Sequence, residues 1–142
     1  MPHNAKIDEA QKRNMGFLKN VMNAQRAGIP EQWKVLERKE QVDQLLNDSH
    51  KKPIGILKHS TRCGISSMMK HQLEAEWDLD TSDIDFYYLD LISNRAISNK
   101  VAEVLDVRHQ SPQIIIVKDG KAVYDTSHHG ISVAAVRKGM SA

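Results

Sequence analysis

PIGILKHSTRCGISSMMKHQL, residues 53–73, decides the fold of this chain. Its first seven residues, PIGILKH (53–59), form an apolar run of strand length that reads as a buried strand. Ile65, Met68, Met69 and Leu73 then recur at helical spacing. A strand therefore passes into a helix across one short loop, and the loop holds the chain's only cysteine, Cys63.

Working outward, the same alternation repeats. WKVLE (33–37) is a short strand candidate, and Val42, Leu45 and Leu46 mark a helix that ends near NDSHKKP (47–53). Downstream, IDFYYLDL (84–91) is rich in the aromatic and branched residues that strands prefer. Ile97, Val101, Val104 and Leu105 form the apolar stripe of another helix. After Pro112, QIIIVKDGKAVYD (113–125) reads as a hairpin turning at Asp119-Gly120, and a last helix follows Gly130 through Val133, Ala134 and Val136. The order β-α-β-α-β-α-β-β-α predicts a three-layer α/β domain over residues 32–142, its mixed sheet closed by an antiparallel hairpin. Residues 1–31 form a separate N-terminal helical extension, with Ile7, Ala10, Phe17, Leu18, Val21 and Met22 near one face before Gly28 and Pro30. It can pack on the body, pair two copies into a homodimer, or remain a tail.

Composition narrows the function classes. The 142 residues suit one domain with a real core, and 40% hydrophobic with 27% charged residues is ordinary globular composition. Twenty basic and 18 acidic side chains leave a net charge of +2, and no stretch interleaves aromatics with clustered Lys and Arg, which argues against nucleic acid. No apolar run approaches a membrane span, and MPHNAKIDEA lacks a secretory signal's apolar centre. One cysteine cannot make an internal disulfide, so a reducing cytoplasm is the expected setting.

The cysteine stands at the carboxyl end of the second strand, where open α/β sheets place their ligand sites. The helix that starts there offers unpaired N–H groups and the positive end of its dipole, both of which favour a thiolate. Arg62 adds a positive neighbour, and Lys58 and His59 are further candidates for one. Thr61, Arg62, Gly64 and Ser66 make a poor apolar pocket, so a reactive Cys63 is favoured over a merely buried one. Ser66, three residues on, shares its helical face and is expected to donate a hydrogen bond to the sulfur. Serine cannot resolve a mixed disulfide, so a second thiol must come from solution. In QSPQ (110–113), Pro112 is either a plain strand-entry residue or a cis proline beside the sulfur. In the second case the Ser111 backbone is open to an extended substrate.

KHSTRCGIS (58–66), FYYLDLISNRAISN (86–99) and HQSPQIIIVKDGK (109–121), in that order, resemble the YtxJ-type monothiol bacilliredoxins of the thioredoxin superfamily. The resemblance covers about residues 32–140. It implies a thioredoxin fold, Cys63 as nucleophile, Pro112 as the cis proline, and removal of bacillithiol from mixed disulfides on client proteins. A small thiol as co-substrate and a regenerating reductase follow from it. Gly64 departs from the family, whose motifs often carry proline or another residue there. The small thiol needs a cradle: Arg62, Gly64, Ile65, Ser111 and Pro112 surround the nucleophile, while Arg95 and the turn SHHG (127–130), with His129 and Gly130 read as a helix start, are candidates for its carboxylates.

Other cysteine chemistries fit less well. A low-molecular-weight phosphatase loop needs arginine at position 69, which is Met, and an arsenate-reductase pattern needs arginine at position 67, which is Ser. His59 with Cys63 lacks the companions of a protease, and one cysteine with scattered histidines has no metal-site spacing. A non-catalytic thioredoxin-fold binding module or holdase is the alternative of a different class.

Overall fold

The computed structural model describes residues 28–142, so the helix expected over residues 6–27 lies outside the described residues. Five strands form one mixed sheet: β1 (Trp33–Val35), β2 (Ile54–His59), β3 (Asp85–Asp90), β4 (Gln113–Lys118) and β5 (Lys121–Ser127). Four helices accompany it among the described residues: α1 (Lys39–Asp48), α2 (Gly64–Glu76), α3 (Arg95–Leu105) and α4 (Val133–Met140). The strand order is β1-β3-β2-β4-β5. The first three strands run parallel, β4 lies antiparallel to β2, and β5 antiparallel to β4.

Every residue of β2 is buried because helices cover both faces of the sheet. Leu57, Phe86, Ile114 and Ile116 point to one face, where Met69 and Leu73 of α2 and Val133 and Val136 of α4 meet them. Ile54, Ile56, Leu89 and Ile115 point to the other, against Val42 and Leu45 of α1 and Ile97 and Val101 of α3. A sheet between two helical layers results, as the alternating pattern predicts. Asp119 and Gly120 close the last hairpin with φ of 53° and 76°, the left-handed pair that a two-residue turn requires.

One strip of the pattern differs from expectation. Of Ile65, Met68, Met69 and Leu73, only Met69 and Leu73 are buried, whereas Ile65 and Met68 are 43% and 52% exposed. The inward face of α2 runs through Ser66, Met69 and Leu73 instead. A serine takes the first inward position because a buried polar partner waits for it there.

Candidate active site

The site lies where β2 and β3 end and β4 begins. Cys63, half-buried, is the N-cap residue of α2, with φ −112° and ψ 121°. Its amide donates to the Ser60 carbonyl at 3.2 Å, and its carbonyl accepts from the Ser67 amide at 3.0 Å. No side chain caps this helix, so its first amides are not occupied by a capping oxygen. Arg62, Gly64 and Ile65 flank the sulfur residue and are exposed.

The register pairs Lys58 with Gln113, which sets Ser111 and Pro112, just before the start of β4, alongside the loop that follows β2. The Ser111–Pro112 peptide bond is cis, the second of the two readings the sequence left open. The Pro112 carbonyl accepts from the His128 amide at 3.0 Å, tying the turn after β5 to the same corner. Ser111 Oγ is buried without a hydrogen-bond partner among the described residues.

Ser66 is fully buried, but its hydroxyl does not serve the sulfur. Its oxygen accepts from the Ser60 amide at 3.1 Å and stands 2.7 Å from His59 Nδ1. Burial, followed by the Lys70 cation, holds His59 below its ordinary value against the raising influence of Asp90 and Glu74. Both polar contacts of the Ser66 hydroxyl thus go to Ser60 and His59, and none goes to Cys63. The hydrogen bond expected between Ser66 and the sulfur is thereby replaced. His59 is also lost as a positive neighbour.

Lys58 departs from expectation too. Side chains alternate along β2, so its ammonium faces the α3 layer and donates to the Ser98 carbonyl and His109 Nδ1, both at 3.2 Å. Burial pushes its pKa down to about 8. Burial, then the Lys58 and Arg95 cations, also holds His109 low. Arg95 is exposed and forms the first residue of α3. His129 and Gly130, exposed like it, belong to a separate single-turn helix (His128–Gly130) rather than to the start of the last helix. That helix begins at Val133 and is capped by Ser132 Oγ, which accepts from the Ala135 amide at 3.0 Å. The SHHG turn is therefore not the helix start proposed as a carboxylate cradle. Neither the His59–Ser66 pair nor the Lys58–His109 pair was read from the sequence. A histidine and a lysine in a strand buried on both faces were the available signal.

A family model for the monothiol bacilliredoxin BrxC matches residues 34–136. The chain belongs to the monothiol bacilliredoxin family. Among solved structures, this bacilliredoxin is similar to a thioredoxin-fold protein described as a candidate oxidoreductase, with 29% identity, 75% of this chain and 91% of that chain covered, and a TM-score of 0.63. It is also similar to thioredoxin from Malassezia sympodialis (17% identity, 77% and 88% covered, TM-score 0.60). Fasciola hepatica thioredoxin is a third (21%, 76% and 96%, 0.57). The latter two show the fold alone. Family and fold together make the chain a redox enzyme of the thiol–disulfide oxidoreductase type, and the family implies a low-molecular-weight thiol as substrate. No described helix is long and apolar enough to cross a membrane.

Proposed function

We propose that the chain removes bacillithiol, or a similar small thiol, from mixed disulfides on client proteins in a reducing cytoplasm, with Cys63 as the nucleophile. The observation that carries this reading is a lone cysteine at an uncapped helix start, with a buried serine where a resolving thiol would stand. Cys63 thiolate attacks the small-thiol sulfur of the client's disulfide. The client's thiolate leaves and takes a proton from water, and Cys63 now holds the small thiol as a mixed disulfide. A second small-thiol thiolate attacks that bound sulfur, releasing the small-thiol disulfide and Cys63 thiolate. A partner reductase then supplies two electrons and two protons, returning the released disulfide to two thiols.

Arg62, Gly64, Ile65, Ser111 and Pro112 are proposed to line the path of the disulfide, and the unpaired Ser111 hydroxyl supports a polar contact there. Arg95 is proposed to meet a carboxylate of the small thiol, a role supported by the reach of its cation to His109, two residues before Ser111. A role for His129 and Gly130 now rests only on their position beside Pro112.

The test is incubation of the full chain with a client protein carrying bacillithiol, followed by intact-mass spectrometry. Transfer of the bacillithiol mass onto Cys63, with release of the reduced client, is expected. The Cys63→Ser variant should transfer nothing while melting within about 0.5 kcal/mol of the parent, because Cys63 is held by backbone bonds rather than by its sulfur. A chain that binds the client but never acquires the small thiol would be a binding module instead.

A further inference from the structure

The His59–Ser66–Ser60 arrangement closes over the loop that carries the nucleophile. Residues 60 and 66 bracket Cys63 from both sides, and all three members are buried, with 5%, 0% and 8% of their surface exposed. The Ser66 oxygen has two lone pairs and one proton. With His59 neutral and Nδ1 bare, the serine proton goes to Nδ1 and one lone pair takes the Ser60 amide. With His59 protonated, Nδ1–H must donate instead. Both lone pairs of Ser66 are then filled, and its proton has to find a different acceptor. Ser66 occupies the third position of α2 and Cys63 its N-cap, so the sulfur is an acceptor within the same helical turn.

We propose that His59 is a positioning residue for Cys63 and acts through Ser66: protonation of the imidazole reverses the His59–Ser66 hydrogen bond and turns the serine proton toward the sulfur. The charged and titratable groups around His59 are Lys70 and Glu74 from α2 and Asp90 and Tyr88 from β3. Lys70 is itself paired with Glu74 and lies 5.4 Å from the Tyr88 ring centre, so its charge is only partly balanced. Proton gain at His59 thus brings the sulfur both a nearby cation and a hydroxyl donor. By reciprocity, a thiolate at Cys63 must make His59 easier to protonate. The consequence for exchange, a serine proton offered to the attacking sulfur, rests on Cys63 being the exchange nucleophile; the coupling itself does not.

The experiment follows the His59 imidazole by nitrogen-edited NMR in the full-length chain, from acid to neutral pH, before and after Cys63 is capped with iodoacetamide. At neutral pH the proton should sit on Nε2, with Nδ1 bare. Capping takes the sulfur out of the coupling and should move the His59 midpoint to lower pH by at least about half a unit. In Ser66→Ala the same capping should move it by clearly less, while His59 still titrates. An unchanged midpoint on capping, or a proton on Nδ1 at neutral pH, overturns the proposal. The parent protein alone decides the matter should Ser66→Ala fail to fold. Since capping is not exchange, a coupled His59 in a protein that transfers no small thiol would sink the exchange reading only. A chain that exchanges with an uncoupled His59 would sink this inference only.

Discussion

Gly64 shows how far one residue can be argued from its backbone. Proline is well suited to the first position of a helix, because its missing N–H was unpaired there anyway. It restricts the residue before it to extended conformations, and Cys63 already holds φ −112° and ψ 121°. A Cβ added at Gly64 meets nothing within 4 Å. Gly64→Pro is therefore expected to raise stability by about 0.5–1 kcal/mol through the unfolded chain, seen as a higher melting temperature. The same change deletes one amide beside the sulfur, so alkylation of Cys63 should slow although the fold is firmer. A lower melting temperature would mean that α2 does not begin where it is placed. Cys63 was legible at this scale because a lone thiol between a strand and a helix has few other uses. Ser66 was only half legible: its spacing put it on the right face, but the partner of a hydroxyl is chosen by whatever tertiary packing brings nearest, here a histidine seven residues earlier.

At the scale of elements, β2 and α2 must each fit surroundings that hydrophobic periodicity describes only in part. The Gly55 position in β2 faces the Phe86 ring, which packs against Trp33 and Trp77 at centroid distances of 4.9 and 4.6 Å. A methyl group at Gly55 would lie 2.5 Å from Phe86 Cδ2, far inside contact distance. Gly55→Ala is expected to cost about 1–3 kcal/mol by overpacking, measured as a lower midpoint in urea, with Phe86→Leu in the same chain recovering part of it. The strands and helices were readable because the five-stranded sheet needs apolar alternation on both faces. The exposure of Ile65 and Met68 was not, since an apolar residue on a helix records no direction. Ser66→Cys tests the start of α2 directly. N-cap and third-position side chains share one turn, so mild oxidation should remove two hydrogen atoms from the variant's mass and none from the parent's. Before oxidation the variant should be about 1–3 kcal/mol less stable, because a thiol is a poor substitute for the oxygen that takes the Ser60 amide. Failure to link would mean that the two side chains diverge.

For the whole molecule, the buried titratable groups add to a stability profile with a definite shape. Lys58 is fully buried with its pKa lowered to about 8, so between about 8 and 10.5 the unfolded chain holds a proton that the native state has lost. Stability rises with pH wherever the unfolded state binds more protons. Tyr87 and Tyr88, pushed up to about 12 chiefly by burial, act with the opposite sign. An unfolded tyrosine ionises near 10 while these two keep their protons, so stability falls from about pH 10 upward. His59 and His109, both held low, remain neutral when the unfolded histidines begin to protonate, and stability declines as pH drops through 6.5. Urea unfolding across this range should therefore show a fall below pH 6.5, a plateau to about 8, a rise to a maximum near 10, and a second fall. Lys58→Met isolates the rising limb. It removes the buried cation and keeps a chain of similar length, so the rise between about 8 and 10 should flatten. The plateau at neutral pH should climb by no more than about 3 kcal/mol, reduced by the loss of donors to the Ser98 carbonyl and His109. A rising limb that persists in Lys58→Met would assign the proton loss to another group. A neutral plateau that drops would mean that the two hydrogen bonds of Lys58 outweigh the burial of its charge.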